Sequence, residues 1–285
     1  MINCTLILEG GAKRGVFTAG VIDYFIENKF IVSDVLGVSA GACNAVDYVS
    51  QQFGRSRDCI IAEKEDAKYI NFGNLIKSKK PVIDIDKAIA EFAFYQYPFD
   101  FENYMQSSIR CHLVTTNIQT GQAEYLDDRN NVERLVQILK ASSSIPIFSH
   151  IVNFDDKQYL DGGISDGIPL DYALGLGNQK IIVILTRSKD AAYLKENRFE
   201  NRVIDRTFKN YPQLIKAMKQ RVTNYNRVVA RLEALEAEGK IFIIRPLTMS
   251  VKTSTNQKAV LMSYYQEGYQ LAKALQPALN NYLNK

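Results

Sequence analysis

The stretch "DVLGVSAGACNAV", Asp34 to Val46, holds a serine between small residues, Gly37-Val38-Ser39-Ala40-Gly41. An apolar "VL" precedes it and a helix-compatible "ACNAV" follows, the strand–turn–helix setting of a nucleophile elbow. A bare G-x-S-x-G also arises by chance, and a serine at such a junction serves equally as an N-cap. As a nucleophile, its hydroxyl needs a neighbouring base to take its proton. The chain has only two histidines, so the identity of that base is the first question.

Working outward, "CTLILEGG" reads as a short apolar strand running into glycines. "GVFTAGVIDYFIEN" continues as a helix with Val16, Ala19, Val21 and Phe25 available for burial. "VSDVLGVSAG" repeats the arrangement, and "RCHLVTTNI" and "KIIVILTR" supply two more strands, the latter a continuous apolar run of the buried parallel kind. Strands alternating with helices predict a mainly parallel sheet covered on both faces. Between Arg55 and Asn103 the aromatics Phe92, Phe94, Tyr95, Tyr97, Phe99 and Phe101 crowd together. Core packing is the better reading for them than lining of an acyl pocket.

After Arg187 the composition shifts. "YPQLIKAMKQRVTNYNRVVARLEALEAEGK" sets Leu214, Met218, Val222, Tyr225, Val229, Leu232 and Leu235 at helical spacing, with Gly239 at the stop. A helix packed on the core with a solvated basic face is expected, ahead of one lying on a membrane surface. A strand, "KIFIIRPL", and a final helix from about Lys258 follow. Residues 1–190 are expected to form the catalytic domain and 191–285 a mainly helical C-terminal extension packed on it.

Composition narrows the function classes. The 285 residues are 46% hydrophobic and 23% charged, with a net charge of +4, ordinary for a globular domain and too mild to demand nucleic acid. No arginine-rich run interleaves with aromatics, so no nucleic-acid partner is expected. Cys4, Cys43, Cys59 and Cys111 form no C-x-x-C pair and no zinc-like spacing, which predicts free thiols and no metal or cofactor. The N-terminus lacks the pattern of a secretion signal, and no apolar run is long enough to span a bilayer. The expectation is a cytoplasmic protein, at most peripheral to a membrane.

Two further constellations bear on the serine. In "EGGAKRG", Glu9 to Gly15, glycines let the backbone turn tightly and aim N–H groups at an anion. The stretch lacks the G-K-[ST] of a P-loop, and alanine at 12 breaks the dinucleotide-binding spacing. In "YLDGGISDGIPL", Tyr159 to Leu170, Asp161 and Asp166 each precede glycine. Asp-Gly is a common turn, but a carboxylate on a glycine-rich loop also approaches a serine closely. His112 lies in the middle of a strand. His150 precedes Asp161, against the usual acid-then-histidine order, although Asp127 or Asp128 would serve as its acid and keep a histidine-assisted esterase open. A carboxylate acting directly on serine starts from a pKa near 4, which desolvation raises. Asp161 is the better candidate.

Together the three pieces resemble the patatin-like phospholipase family: a glycine-rich turn ("GGAKRG", Gly10 to Gly15), a G-x-S-x-G one βα unit later ("GVSAG", Gly37 to Gly41), and a downstream D-G-[AG] ("DGG", Asp161 to Gly163). "ASSSIPIF", Ala141 to Phe148, also resembles the small-residue segment such proteins often carry before the aspartate. The resemblance covers roughly residues 5 to 190, and the remainder resembles the extension of a bacterial subgroup. It implies a three-layer α/β/α sandwich with a mainly parallel central sheet, and a Ser-Asp dyad that hydrolyses acyl esters of lipids. Carried over, Ser39 is the nucleophile and Asp161 the base. The backbone of Gly10, Gly11, Ala12 and Lys13 holds the oxyanion, and Arg14 orients that loop or meets a phosphate head group. Gly15, Gly37, Gly41, Gly162 and Gly163 support the motifs. A lipid or ester substrate and transient membrane-surface contact follow. A catalytically weak member that binds lipid or a protein partner is the alternative from another class. Ala12 stands where the family often has a third glycine. If that position needs φ > 0, alanine costs on the order of 1 kcal/mol.

Overall fold

A computed structural model describes residues 1–61, 81–195, 198–248 and 251–285. The apolar runs lie side by side in it. The strands are β1 (Ile2–Leu8), β2 (Val32–Val38), β3 (Arg110–Asn117), β4 (Ala123–Leu126), β5 (Val152–Phe154), β6 (Lys157–Asp161), β7 (Lys180–Ile184) and β8 (Phe242–Ile244). In the order β3-β2-β1-β7-β8 they form a parallel sheet, to which β4, β5 and β6 add antiparallel pairings beyond β3. The helices are α1 (Gly15–Glu27), α2 (Ala40–Val49), α3 (Arg55–Ile61), the π-wound α4 (Asp86–Gln96), α5 (Phe101–Gln106), α6 (Val132–Ser142), α7 (Leu170–Gly175), α8 (Arg198–Thr207), α9 (Pro212–Ala237) and α10 (Lys258–Leu283).

Strand side chains alternate between faces, and the cores follow that alternation. Leu6 and Leu8 of β1 and Ile182 and Ile184 of β7 enter one core with α1, α2 and α10. Ile7, Ile181 and Val183, one residue out of phase, enter a second core with α7 and α9. Continuous apolar runs are required because both faces are covered. The chain is therefore a mixed α/β fold with helices on both sides of a central sheet. The segment after residue 190 shares this framework: β8 pairs with β7, and Leu261, Tyr264 and Ala272 of α10 are buried in the first core. Gly239, just beyond α9, adopts φ +68°.

The sequence reading overlooked β4, β5 and β6, whose runs "AEYL", "VNF" and "KQYLD" are short and broken by polar residues. These strands matter for the site. At Val114, β2 lies on one side of β3 (Val38) and β4 on the other (Tyr125). At the next residue, Thr115, β4 still holds its side (Glu124) while the opposite partner has become Asp161 of β6. β6 thus takes over the edge of β3 where β2 ends, and the two strands meet tip to tip.

Of the crowded aromatics, Phe92 and Phe99 are buried in the core, whereas Phe94 and Tyr95 are exposed. Residues 62–80 of that region lie outside the described residues.

Candidate active site

Ser39 follows the last residue of β2 and sits at φ +56°, ψ −124°. A non-glycine residue in such a conformation is held there by its surroundings, and the flanking glycines show how. A Cβ on Gly37 would lie 2.5 Å from the Gly41 carbonyl oxygen, and one on Gly41 would lie 2.2 Å from that of Leu8. Only residues without side chains let α2 start this close to the ends of β1 and β2. Ser39 occupies the N-cap position of α2 but caps nothing with its side chain. Its Oγ donates instead to Asp161 Oδ2 at 2.6 Å, while its N–H donates to Ser142 Oγ at 3.1 Å.

Asp161 ends β6, in register with Thr115. Its N–H donates to the Ser144 carbonyl at 2.9 Å, and its own carbonyl accepts from Thr116 Oγ1 at 2.8 Å. Its Oδ1 accepts from the Gly163 N–H at 2.8 Å, so the carboxylate is held at both oxygens. The two residues are only 8% and 7% exposed. Burial pushes the Asp161 carboxyl above the usual carboxylate range, against the hydrogen bonds from Ser39 and Gly163 and the charge of Arg221.

The glycine turn runs off the end of β1, beside Ser39. A Cβ on Gly10 would meet the Val38 carbonyl oxygen at 2.9 Å and Ser39 Cβ at 3.0 Å. Ala12 has φ +48°, the left-handed region, and opens a 3-10 turn in which the Arg14 N–H donates to the Gly11 carbonyl at 3.0 Å. Behind the turn Glu9 is buried. Its Oε2 accepts from the Thr186 N–H and lies 3.0 Å from Thr186 Oγ1, and its Oε1 accepts from the Tyr225 hydroxyl. Thr186 Oγ1 also reaches the Gly10 carbonyl at 2.8 Å. Lys13 points the other way and donates to the Ile60 carbonyl; burial pushes its ammonium down to about 8.

Two cavities open on Ser39. The larger, about 500 Å³, is lined by Glu9 to Ala12, Arg14, Asp161, Arg187, Arg221 and Tyr225, with an apolar side from Ile145 to Phe148 and including Ile164 and Ile204. The smaller, about 120 Å³, runs beneath α2 among Cys43, Ile85, Ile89, Phe92, Phe99 and Phe101. Ser39, Ala12 and Ile145 line both. Neither histidine lines either cavity. His112 Nε2 lies 2.9 Å from Asp34, near the amino end of β2, while the exposed His150 lies 3.8 Å from Asp86. The hydroxyl of Ser39 meets a carboxylate, with no imidazole between them. Asp127 binds Arg129 and Asp128 binds Arg134, so the acids considered for His150 are engaged elsewhere. Asp166 accepts from Tyr125.

The profile of the patatin-like phospholipase family matches residues 6–174. The chain belongs to that family. A second profile, a domain of unknown function (DUF6363), matches residues 211–284. The uncharacterized protein YjjU of Escherichia coli is 29% identical over 255 residues, covering 85% of this chain and 68% of that one. The mouse 1-acylglycerol-3-phosphate O-acyltransferase Pnpla3 is 28% identical over 137 residues, 47% of this chain and 32% of its own length. Human patatin-like phospholipase domain-containing protein 2 is 27% identical over 163 residues, 55% and 31% respectively. This chain thus spans about a third of those mammalian relatives. Among solved structures, VipD of Legionella pneumophila superposes with a TM-score of 0.45 at 15% identity, over 96% of this chain and 66% of that one.

Within this patatin-like chain, the sequence reading gave no site role to Glu9, Thr186, Arg187, Arg221 or Tyr225. Thr186 and Arg187 follow β7 as Glu9 follows β1, so the carboxyl ends of parallel strands gather them where such sheets place their ligands. Arg221, on the basic face that the sequence predicts to be solvated, is exposed and also lines the larger cavity. It lies three residues after Met218 and four before Tyr225, one helical stripe, and its Nε donates to the Gly163 carbonyl at 3.0 Å. That spacing was the available signal. Among the described residues no group of three or more acidic, histidine or cysteine side chains is placed to hold a metal, and no helix is long and apolar enough to cross a membrane.

Proposed function

We propose that this patatin-like protein is a lipid acyl-ester hydrolase working through a Ser39–Asp161 dyad and an acyl-enzyme. The observation that carries the reading is the 2.6 Å hydrogen bond from Ser39 Oγ to a buried carboxylate at the meeting point of two cavities. Ser39 Oγ attacks the ester carbonyl carbon as its proton passes to Asp161. Backbone N–H groups of Gly10 to Lys13 stabilise the oxyanion. Asp161 then protonates the departing alkoxide, leaving the acyl group on Ser39. Water enters, gives its proton to Asp161 and attacks the acyl carbon; the fatty acid leaves and Ser39 recovers its proton. The second cavity, walled by Phe92, Phe99 and Phe101, suits the acyl chain. Ile147 and Phe148, exposed beside the larger cavity, suit contact with a lipid surface.

The test is a lipid panel with wild-type, Ser39→Ala and Asp161→Asn proteins, read by mass spectrometry of released acyl chains. A fluorophosphonate probe is expected to label Ser39 in the wild type alone. Turnover at the wild-type rate in Ser39→Ala would end the proposal, and loss of activity on replacing His150 would transfer the base to that residue.

A further inference from the structure

A backbone N–H stabilises a developing oxyanion only if its peptide plane is held in place before the reaction starts. In a trans peptide the carbonyl and the N–H of one plane point in opposite directions, and the Gly10–Gly11 peptide is trans. Whatever grips the Gly10 carbonyl therefore aims the Gly11 N–H the other way. Thr186 supplies that grip. Its Oγ1 reaches the Gly10 carbonyl at 2.8 Å and Glu9 Oε2 at 3.0 Å, one hydroxyl proton between two acceptors. A Cβ on Gly11 would lie 2.6 Å from the same oxygen, so the turn rests directly on this side chain. Thr186 is fully buried, whereas Gly10 and Gly11 line the larger cavity together with Ser39.

Thr186 is held in turn by groups remote in sequence. Its N–H donates to Glu9 Oε2, and its carbonyl accepts from the Tyr264 hydroxyl at 3.3 Å. Glu9 is 3% exposed; its N–H donates to the Ile184 carbonyl at 3.1 Å, and its Oε1 accepts from the Tyr225 hydroxyl. The Tyr225 ring is fixed against Gly167, where a Cβ would lie 3.4 Å from it. A buried carboxylate is costly unless donors satisfy it. The Thr186 N–H and the Tyr225 hydroxyl meet one oxygen each, and because hydrogen bonds are directional they set orientation as well as charge. Both tyrosines, on α9 and α10, belong to the segment matched by the domain of unknown function.

We infer that Glu9, Thr186 and Tyr225 are positioning residues for acyl transfer. Thr186 turns the Gly10 carbonyl away from the cavity and so aims the Gly11 N–H at the oxyanion, Glu9 holds Thr186, and Tyr225 of α9 holds Glu9. The inference rests on the hydrolase reading above for the oxyanion it serves. It makes the C-terminal segment a working part of the site, acting through Glu9 and not by contact with the reacting atoms.

Thr186→Val removes the hydroxyl while keeping the branched shape, and Tyr225→Phe removes only the bond to Glu9. Both are assayed on p-nitrophenyl butyrate beside wild type, Thr186→Ser and Ser39→Ala, with the thermal midpoint of each recorded. In Thr186→Val, kcat is expected to fall at least about tenfold with KM within about twofold, the pattern of an interaction made in the transition state. Tyr225→Phe is expected to show the same pattern at about threefold or more, and Thr186→Ser to recover most of the rate. A second probe is propyl trifluoromethyl ketone. Ser39 Oγ adds to its carbonyl carbon, the π pair moves to oxygen as the oxyanion, and the serine proton passes to Asp161. Its affinity is expected to fall across the variants in proportion to kcat/KM. A lowered midpoint with kcat unchanged, a rise in KM alone, or ketone affinity equal to that of wild type in both Thr186→Val and Tyr225→Phe overturns the inference. If Thr186→Val does not fold, the half-buried Tyr225→Phe decides by the same readings. A wild type that adds the ketone but turns over no ester sinks the hydrolase reading and leaves ketone affinity to judge the positioning; one that does neither overturns both.

Discussion

Gly20 on α1 and Gly268 on α10 face each other at a helix crossing with no room for a side chain. A Cβ on Gly20 would lie 2.0 Å from the Tyr265 carbonyl oxygen, and one on Gly268 would lie 2.2 Å from that of Phe17. Glycine within a helix costs about 1 kcal/mol relative to alanine, so both positions accept an intrinsic penalty for close contact. Gly268→Val is expected to destabilise the protein by about 3 kcal/mol or more, since backbone at 2.2 Å must move. Gly175→Ala, where nothing lies within 4 Å, is the control and should stay within about 0.5 kcal/mol. Urea midpoints of the two variants decide the point; equal midpoints would mean that α10 is loosely held.

The pH profile follows from the surroundings of Asp161. A base must be deprotonated to accept the Ser39 proton, so activity is present above its pKa and lost below it. Burial moves that pKa upward, so the acid limb of kcat/KM should fall above the ordinary carboxylate range near 4. Asp161→Asn should abolish the limb along with most of the turnover. A wild-type profile flat down to about pH 4 contradicts this assignment.

Asp34 offers the opposite electrostatics. It is fully buried and accepts from Arg110 Nε and Nη2 at 2.7 and 2.6 Å, and from Asn178 at 2.6 Å, with His112 at 2.9 Å. Burial pulls its pKa up, but the hydrogen bonds from Arg110, His112 and Asn178 outweigh it and hold the carboxyl below its usual range. A depressed carboxylate contributes stability that is full above the unfolded pKa, near 4, and lost as pH falls through the folded value. Asp34→Asn is expected to cost about 2–3 kcal/mol at neutral pH, moderated by the exposure of Arg110. It should also flatten the loss of stability below about pH 4. Acid titrations monitored by circular dichroism measure both.

Left-handed backbone separates two further substitutions. Ala12 at φ +48° carries about 1 kcal/mol of strain, and glycine there relieves it while adding a similar unfolded-state entropy. Ala12→Gly should leave the Tm nearly unchanged. Ile147 is β-branched at φ +73° and exposed, a harder conformation to hold. Ile147→Gly should raise stability by about 1 kcal/mol. A lower Tm for Ile147→Gly would show that its side-chain contacts outweigh the strain.

The parallel half of the sheet was legible because buried strands must be apolar throughout: "CTLIL", "DVLGV" and "KIIVI" announce themselves. The glycine turns were legible because close approach excludes side chains, as at Gly37 and Gly41. The antiparallel strands were not. "KQYLD" alternates weakly and ends in Asp-Gly-Gly, so Asp161 read as a loop residue although it ends β6. Arg221 was hidden by its charge: a basic residue on a long helix ordinarily faces water, as Arg221 does, and only the neighbours Met218 and Tyr225 place it at the cavity as well. Glu9 sits beside Thr186 and Tyr225 across 177 and 216 residues of sequence, a proximity no local pattern encodes.

The shared edge of β3 has a bearing on how such chains diversify. Val38 and Asp161 pair with neighbouring residues of one strand, so the gap between serine and aspartate is measured along β3. Changes of loop length between β4 and α6 leave that register untouched, while a single-residue slip of β6 would shift Asp161 by about 3.3 Å and turn its side chain to the other face. The cavity-lining residues Ile145 to Phe148, which follow the Ser142 and Ser144 contacts to the serine and the aspartate, can therefore vary with the substrate without moving the pair. The fold separates the part that natural variation can reshape from the part it must copy.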